Sequence, residues 1–168
     1  MMAGKIKQSG FPRASFQNDP KVLIVVAPYY NSIADNLLKG AKAEILASNA
    51  TFDIVEVPGA LEIAAAIGIA ERLEKFDAYV ALGCVIRGET THYETVCNDS
   101  SRGLTLLGLQ GLCIGNGILT VENFEQAKER ADPELQNKGG GAAAAALHLL
   151  SLSQKWASNN TGIGFKTD

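Results

Sequence analysis

The sequence has little of what builds cross-links and metal centres. Its three cysteines, Cys84, Cys97 and Cys113, are odd in number and match no CxxC or zinc-ligand spacing. That argues against a disulfide framework or a metal site, and the three read as buried, reduced thiols. Surplus positive charge is missing too: 15 Lys and Arg against 18 Asp and Glu leave a formal net charge of −3. Phosphate-backbone binding usually needs a basic face, so nucleic acid is not an expected partner, whereas a small anion held by a few residues is compatible. No apolar run approaches the roughly 20 residues that carry a helix across a bilayer, so no membrane association is expected. The opening MMAGKIKQSGFPRASF carries basic residues without an apolar h-region and does not read as a secretory signal. The cytoplasm is the expected compartment.

What the 168 residues do contain is an alternation of β-branched runs and amphipathic stretches, with no composition break that would divide it. Residues 1–20, with Gly10, Pro12, Ser15, Asn18 and Pro20, are expected to form a flexible arm, residues 21–157 the folded domain and residues 158–168 a flexible tail. KVLIVVAP (21–28) is a continuous apolar run of the kind that a strand buried on both faces requires. Ile33, Leu37, Ala41 and Ile45 recur every four residues behind Asn31, a candidate N-cap, and predict a helix to about Asn49. A second strand is expected over 51–57, closed by Pro58 and Gly59, then a helix over 60–74 with Leu61, Ala64, Ala65, Gly68 and Ile69 inward. A third strand over 77–83, a helix from near His92 to Leu109 and a fourth strand over 112–119 follow. A short helix over 122–130, ended by Pro133, and a last helix from Asn137 and Lys138 complete the pattern. Gly115 and Gly117 lower the strand propensity of the fourth strand and imply that another element presses close to it.

This order predicts an α/β fold: a parallel sheet with helices on both faces, because the strands are too hydrophobic for a one-sided sheet. The unusual residues then fall together. PYYN (28–31), PGALE (58–62) and CVIRGETTH (84–92) follow the first, second and third strands. Ligands of open α/β sheets bind outside the carboxyl ends of the strands, so these three turns define a candidate pocket.

The richest stretch is 83–103, where Arg87, Gly88, Glu89, Thr90, Thr91 and His92 bring backbone donors, hydroxyls, a carboxylate, a guanidinium and an imidazole into one turn. Backbone N–H groups at a helix N-terminus suit an anion, although many such turns only cap a helix. His92 can carry protons in either direction near neutral pH, or can satisfy a local backbone group. His148, inside an alanine- and leucine-rich helix, reads as structural. Tyr30 and Asn31 offer a flat face and an amide to a planar heterocycle, or simply pack. Arg130 and Lys138, taken alone, are ordinary surface charges.

Together the motifs are more specific than any one of them. VPGALEI (57–63), GCVIRGETTHYETVCN (83–98), GILTVEN (117–123), EQAKERA (125–131) and NKGG (137–140) occur in that order. From about Lys21 to Leu150 the chain resembles the 6,7-dimethyl-8-ribityllumazine synthase family. The resemblance implies a flavodoxin-like layer of four parallel strands in the order 2-1-3-4, working as a pentamer or an assembly of pentamers. It implies a cofactor-independent transferase of riboflavin biosynthesis, with no metal, that joins 5-amino-6-(D-ribitylamino)uracil to 3,4-dihydroxy-2-butanone 4-phosphate. By position, Tyr30 would stack on the pyrimidine with Asn31 at its border, and Ala60 and Glu62 would hold the ribityl chain, flanked by Gly59 and Leu61. Val85 and Ile86 would meet the ring edge through their backbone. Gly88, Glu89 and Thr90 would cradle the phosphate, Arg130 would reach it from an adjacent subunit with Lys138 near it, and His92 would move protons. Three positions depart from the family pattern. Asn116 stands at the subunit boundary where many members have phenylalanine, Leu61 replaces another common phenylalanine, and Glu89 replaces a small residue, with Arg87 as its expected partner. The linker 132–136 lacks the glycine-containing sequence of shell-forming members, which favours a free pentamer.

Overall fold

The computed structural model describes residues 11–160 of the chain. Four strands form one parallel sheet: β1 (Lys21–Val26), β2 (Thr51–Glu56), β3 (Ala78–Ile86) and β4 (Ile114–Val121), in the order β2-β1-β3-β4. Between and after them run α1 (Asn31–Ala47), α2 (Ala60–Leu73), α3 (His92–Leu109), α4 (Phe124–Ala131) and α5 (Lys138–Asn160). The expected strand order and helix sequence are therefore present.

The two-residue period of a strand divides the core. Val22, Ile24 and Val26 of β1 face α1, α4 and α5, while Leu23 and Val25 face α2 and α3. Both sets are buried, which is why β1 reads as an unbroken apolar run. The expectation of two-sided burial fails for β2. Ile54 and Val55 are each 40% exposed and only Phe52 packs against the core, because β2 is an edge strand that no helix fully covers. Helix α2 also buries a different stripe from the one expected. Ala60, Ile63 and Ile67 face the sheet, whereas Leu61 and Ile69 lie outside, since the helix is apolar nearly all round and its phase is set by packing.

Element ends shift slightly. Tyr30 rather than Asn31 holds the N-cap position of α1 and makes no side-chain cap bond. β3 continues to Ile86, so Cys84, Val85 and Ile86 are strand residues, and β4 begins at Ile114 and ends at Val121. Helix α4 starts only at Phe124, because the Asn123 side chain caps it by accepting the Gln126 N–H at 3.0 Å. Of the expected arm, residues 1–10 lie outside the described residues. Residues 11–20 contain no helix or strand, but Phe16 is buried, its N–H donates to the Ser48 carbonyl at 3.2 Å, and Arg13 pairs with Glu44 at 2.9 Å. Of the expected tail, residues 161–168 likewise lie outside the described residues.

Helix α5 is what presses on β4. A side chain at Gly115 would run into the Ala142 carbonyl, and one at Gly117 would come within 2.7 Å of Leu82 Cδ2. The small-residue run at the start of α5 thus packs inside this chain, against β4 and α1. Overpacking at such a contact costs about 1–3 kcal/mol, so Gly115→Val should lower the urea midpoint of unfolding, whereas Gly108→Ala, with open space around it, should not. At the same end of the sheet Tyr79, opposite Ile114 and 1% exposed, donates its hydroxyl to Glu71 at 2.6 Å and accepts the Phe76 N–H at 3.2 Å. Burial, then the Glu71 bond, pushes its phenol up to about 12. A raised folded pKa contributes stability present below the unfolded value of about 10 and lost as pH rises through the folded one. Denaturant titrations from pH 9 upward should therefore show a steeper alkaline loss of stability in the wild-type chain than in Tyr79→Phe.

Candidate active site

The order β2-β1-β3-β4 places the reversal of strand order between β1 and β3, and the turns after β1, β2 and β3 open at their carboxyl ends. A pocket of about 360 Å³ lies there, and it is lined from all three turns. Tyr30 comes from the β1 turn, Gly59, Ala60, Leu61 and Glu62 from the β2 turn, Val85 and Ile86 from the end of β3, and His92 from the start of α3. These residues, far apart in sequence, are brought together as expected. Tyr29, Pro58 and Cys84, within the three expected turns but given no role of their own, also line the pocket, as do Ala27 and Val96, which were not anticipated. Cys84 and Val96 had a signal available: Cys84 is two residues before Ile86 on the same strand, and Val96 is one helical turn after His92.

The pocket has an aromatic wall. Tyr30 is half-buried, with the Tyr29 ring edge-on at 5.1 Å and the Phe124 ring edge-on at 6.4 Å. Such packing fixes the ring while leaving one face to a planar ligand. Burial pushes the Tyr30 phenol above its usual range, and burial alone pushes the Cys84 thiol to about 11. Cys84 therefore lines the pocket as a thiol rather than a thiolate at neutral pH.

The turn from Gly88 to Thr91 forms the rim. It is exposed throughout, and within it the His92 N–H donates to Thr90 Oγ1 at 3.3 Å. The N–H groups of residues 88–91 make no hydrogen bond among the described residues and are available to an anion, whereas the His92 N–H is taken by Thr90. Gly88, Glu89 and Thr90 border the pocket in sequence but do not line it, and Asn31, exposed at the start of α1, does not line it either. Arg87 does not pair with Glu89. Its guanidinium is taken by Glu122 at 2.8 Å and by Glu94, so among the described residues Glu89 has no ion pair.

The remaining expected residues are elsewhere. Asn116, Arg130 and Lys138 line a second cavity of about 390 Å³ beside β4, α4 and α5, which shares no lining residue with the first. Arg130 is half-buried and donates to the Gln126 carbonyl at 3.3 Å. Asn116 accepts the Ile118 N–H at 3.0 Å and is exposed at the sheet edge. Within one chain the cation set and the ring pocket are therefore separate.

All three cysteines are free, with Cys84 and Cys113 buried and Cys97 half-buried. Among the described residues no group of His, Cys, Asp or Glu is arranged to hold a metal ion, and no helix is long and apolar enough to cross a membrane.

Comparison with known proteins gives a consistent result. The family model for 6,7-dimethyl-8-ribityllumazine synthase matches residues 19–154. The chain is 54% identical over 152 residues to the 6,7-dimethyl-8-ribityllumazine synthase of Jannaschia sp. (strain CCS1), covering 90% of this chain and 85% of that protein. It is 55% identical over 142 residues to the protein of that name from Bartonella tribocorum, covering 83% and 94%. With the counterpart from Novosphingobium aromaticivorans it shares 51% identity over 137 residues, covering 82% and 99%. A match spanning all four strands and the three turns of the pocket, at such identity, means that the chain belongs to the 6,7-dimethyl-8-ribityllumazine synthase family.

Proposed function

We propose that this chain condenses 5-amino-6-(D-ribitylamino)uracil with 3,4-dihydroxy-2-butanone 4-phosphate to 6,7-dimethyl-8-ribityllumazine, releasing phosphate and water. This is the penultimate step of riboflavin biosynthesis. The observation that carries the reading is the pocket outside β1, β2 and β3, where an aromatic wall, a backbone-lined edge, a carboxylate and a histidine meet beside an open helix N-terminus.

The roles are those that the family resemblance assigns by position, and the chemistry of each group is compatible with them. Tyr30 stacks on the pyrimidine with Asn31 at its border, and Val85 and Ile86 read the ring edge through their backbone. Glu62, with Gly59, Ala60 and Leu61, holds the hydroxyls of the ribityl chain. Gly88, Glu89 and Thr90 cradle the phosphate with their N–H groups, aided by the dipole of α3. Imine formation, elimination of phosphate, ring closure and dehydration each move a proton, and His92, between the ring pocket and the phosphate turn, serves as general acid and base. No cofactor is needed in this scheme.

The cations complete the site from another copy. Arg130 and Lys138 lie in a cavity that is separate from the ring pocket, so in our reading they serve the phosphate of the neighbouring chain, with Asn116 at the boundary. The incompletely covered surfaces support such a neighbour. β2 exposes Ile54 and Val55, and a groove of about 620 Å³ runs between α3, β4 and α5, with Leu109 and Trp156 exposed along it. We infer a homopentamer, with the reaction in the cytoplasm.

Purified protein given both substrates should form lumazine absorbance above the spontaneous rate; no excess over that rate would refute the function. His92→Ala should slow turnover by about 10²–10⁴ without abolishing it, because holding two reactants together supplies comparable or larger gains. Complete loss with substrate binding intact would contradict that weighting. Light scattering should give five chains of 17.8 kDa, about 89 kDa, and a mass near sixty chains would refute the free pentamer.

A further inference from the structure

Arg87 holds no place in the scheme above, yet it is the best-connected side chain around the phosphate turn. Its backbone N–H donates to the Val121 carbonyl at 2.9 Å, fixing the last step of the β3–β4 ladder immediately before Gly88. Its side chain then spans the turn. One edge of the guanidinium pairs with Glu94, in the first turn of α3, and Nε donates to Glu122 at 2.8 Å, beyond the end of β4. The plane lies over the Tyr93 ring at 4.2 Å. One side chain therefore joins the residue before the turn, the helix after it and the connection that leads into α4.

We propose that Arg87 is a positioning residue: a clasp that holds the Gly88–Thr91 backbone and the start of α3 in the geometry that receives the substrate phosphate. This rests on the proposed function and adds to it a residue that acts through the turn rather than by touching substrate. The turn needs such a clasp because it is exposed and has little of its own to hold it beyond the local His92 to Thr90 bond. Exposed ion pairs contribute little to global stability, so the effect of this cluster is on local geometry. The shape of the group matters as well as its charge. A planar guanidinium can serve two carboxylates and stack on a ring at once, and a lysine ammonium cannot. The two neighbouring carboxylates also keep Arg87 itself from being the phosphate ligand, since its charge is already matched by Glu94 and Glu122.

The test uses the full chain in steady-state kinetics together with direct titration by inorganic phosphate, followed by phosphorus NMR. A displacement of about 1 Å in a binding geometry can cost on the order of 100-fold, so Arg87→Met should raise the KM for the butanone phosphate and the dissociation constant for inorganic phosphate by about tenfold or more. The KM for the ribitylaminouracil and the melting temperature should change little. Arg87→Lys should recover part of the loss, and Glu122→Gln, which leaves Arg87 and α3 intact, should shift the phosphate constants in the same direction by less. Unchanged phosphate constants in Arg87→Met, or both KM values rising together with a fall in melting temperature, would overturn the clasp. If wild-type protein binds phosphate but does not turn over, the proposed function fails and the clasp survives only as a feature of an anion site, which the phosphate titration of Arg87→Met then decides.

Discussion

The parallel pairing of β1 with β3 is the constraint on which the rest of the structure depends. It runs from Val22 opposite Ala78 to Val26 opposite Leu82 and is extended by the Ala27 N–H to the Leu82 carbonyl at 2.9 Å. Because β1 and β3 are neighbours in the sheet but not in sequence, the chain must leave β1 on one face and return to β3 from the other. Helices α1 and α2 consequently pack on opposite sides of the sheet. The crevice between the two departing turns is the only product of this arrangement that sequence neighbours could not make. Tyr30 enters it from one side and Val85, Ile86 and His92 from the other. A change that loosened the β1–β3 register would move Tyr30 relative to His92, even with every lining residue intact.

Much of this was legible in the sequence, for identifiable reasons. β1 could be read because both of its faces are buried, so that an unbroken apolar run has only one comfortable environment. Gly115 and Gly117 announced a close neighbour because a side chain there has nowhere to go, and Ala142 proves to be that neighbour. Other features were not legible. The inward phase of α2 could not be read because Leu61, Ile63, Ile67 and Ile69 are all apolar and lie on different sides of one helix. The surroundings of Arg87 were misjudged from proximity in sequence. Glu89 is two residues away, but the side chain instead reaches Glu94 and Glu122, which the fold brings to it from a helix and from the connection after β4.

The separation of the two cavities is the feature that gives the fold its functional logic. Each chain carries a pocket lined by Tyr30, Glu62 and His92 beside the exposed Gly88–Thr91 turn, and a separate cavity lined by Arg130 and Lys138. On the proposed function, neither alone would serve a substrate pair that combines a planar, polyhydroxylated amine with a phosphate ester. In the homopentamer proposed above, a head-to-tail contact would set one chain's Arg130 and Lys138 against the next chain's pocket at every interface. On that proposal the exposed apolar residues Ile54, Leu109 and Trp156 would be interface rather than ordinary surface.

That two chains build each site is the central claim, and subunit complementation tests it most directly. His92→Ala and Arg130→Ala chains, each strongly impaired alone, would be unfolded, mixed in equal amounts and refolded together. If the site spans two chains, random assembly pairs an intact His92 with an intact Arg130 at about a quarter of the interfaces, and activity should rise well above that of either parent towards about a quarter of wild type. If the mixture is no more active than the mean of the two parents, although mixed assemblies have formed, each chain builds its site alone and the account is wrong.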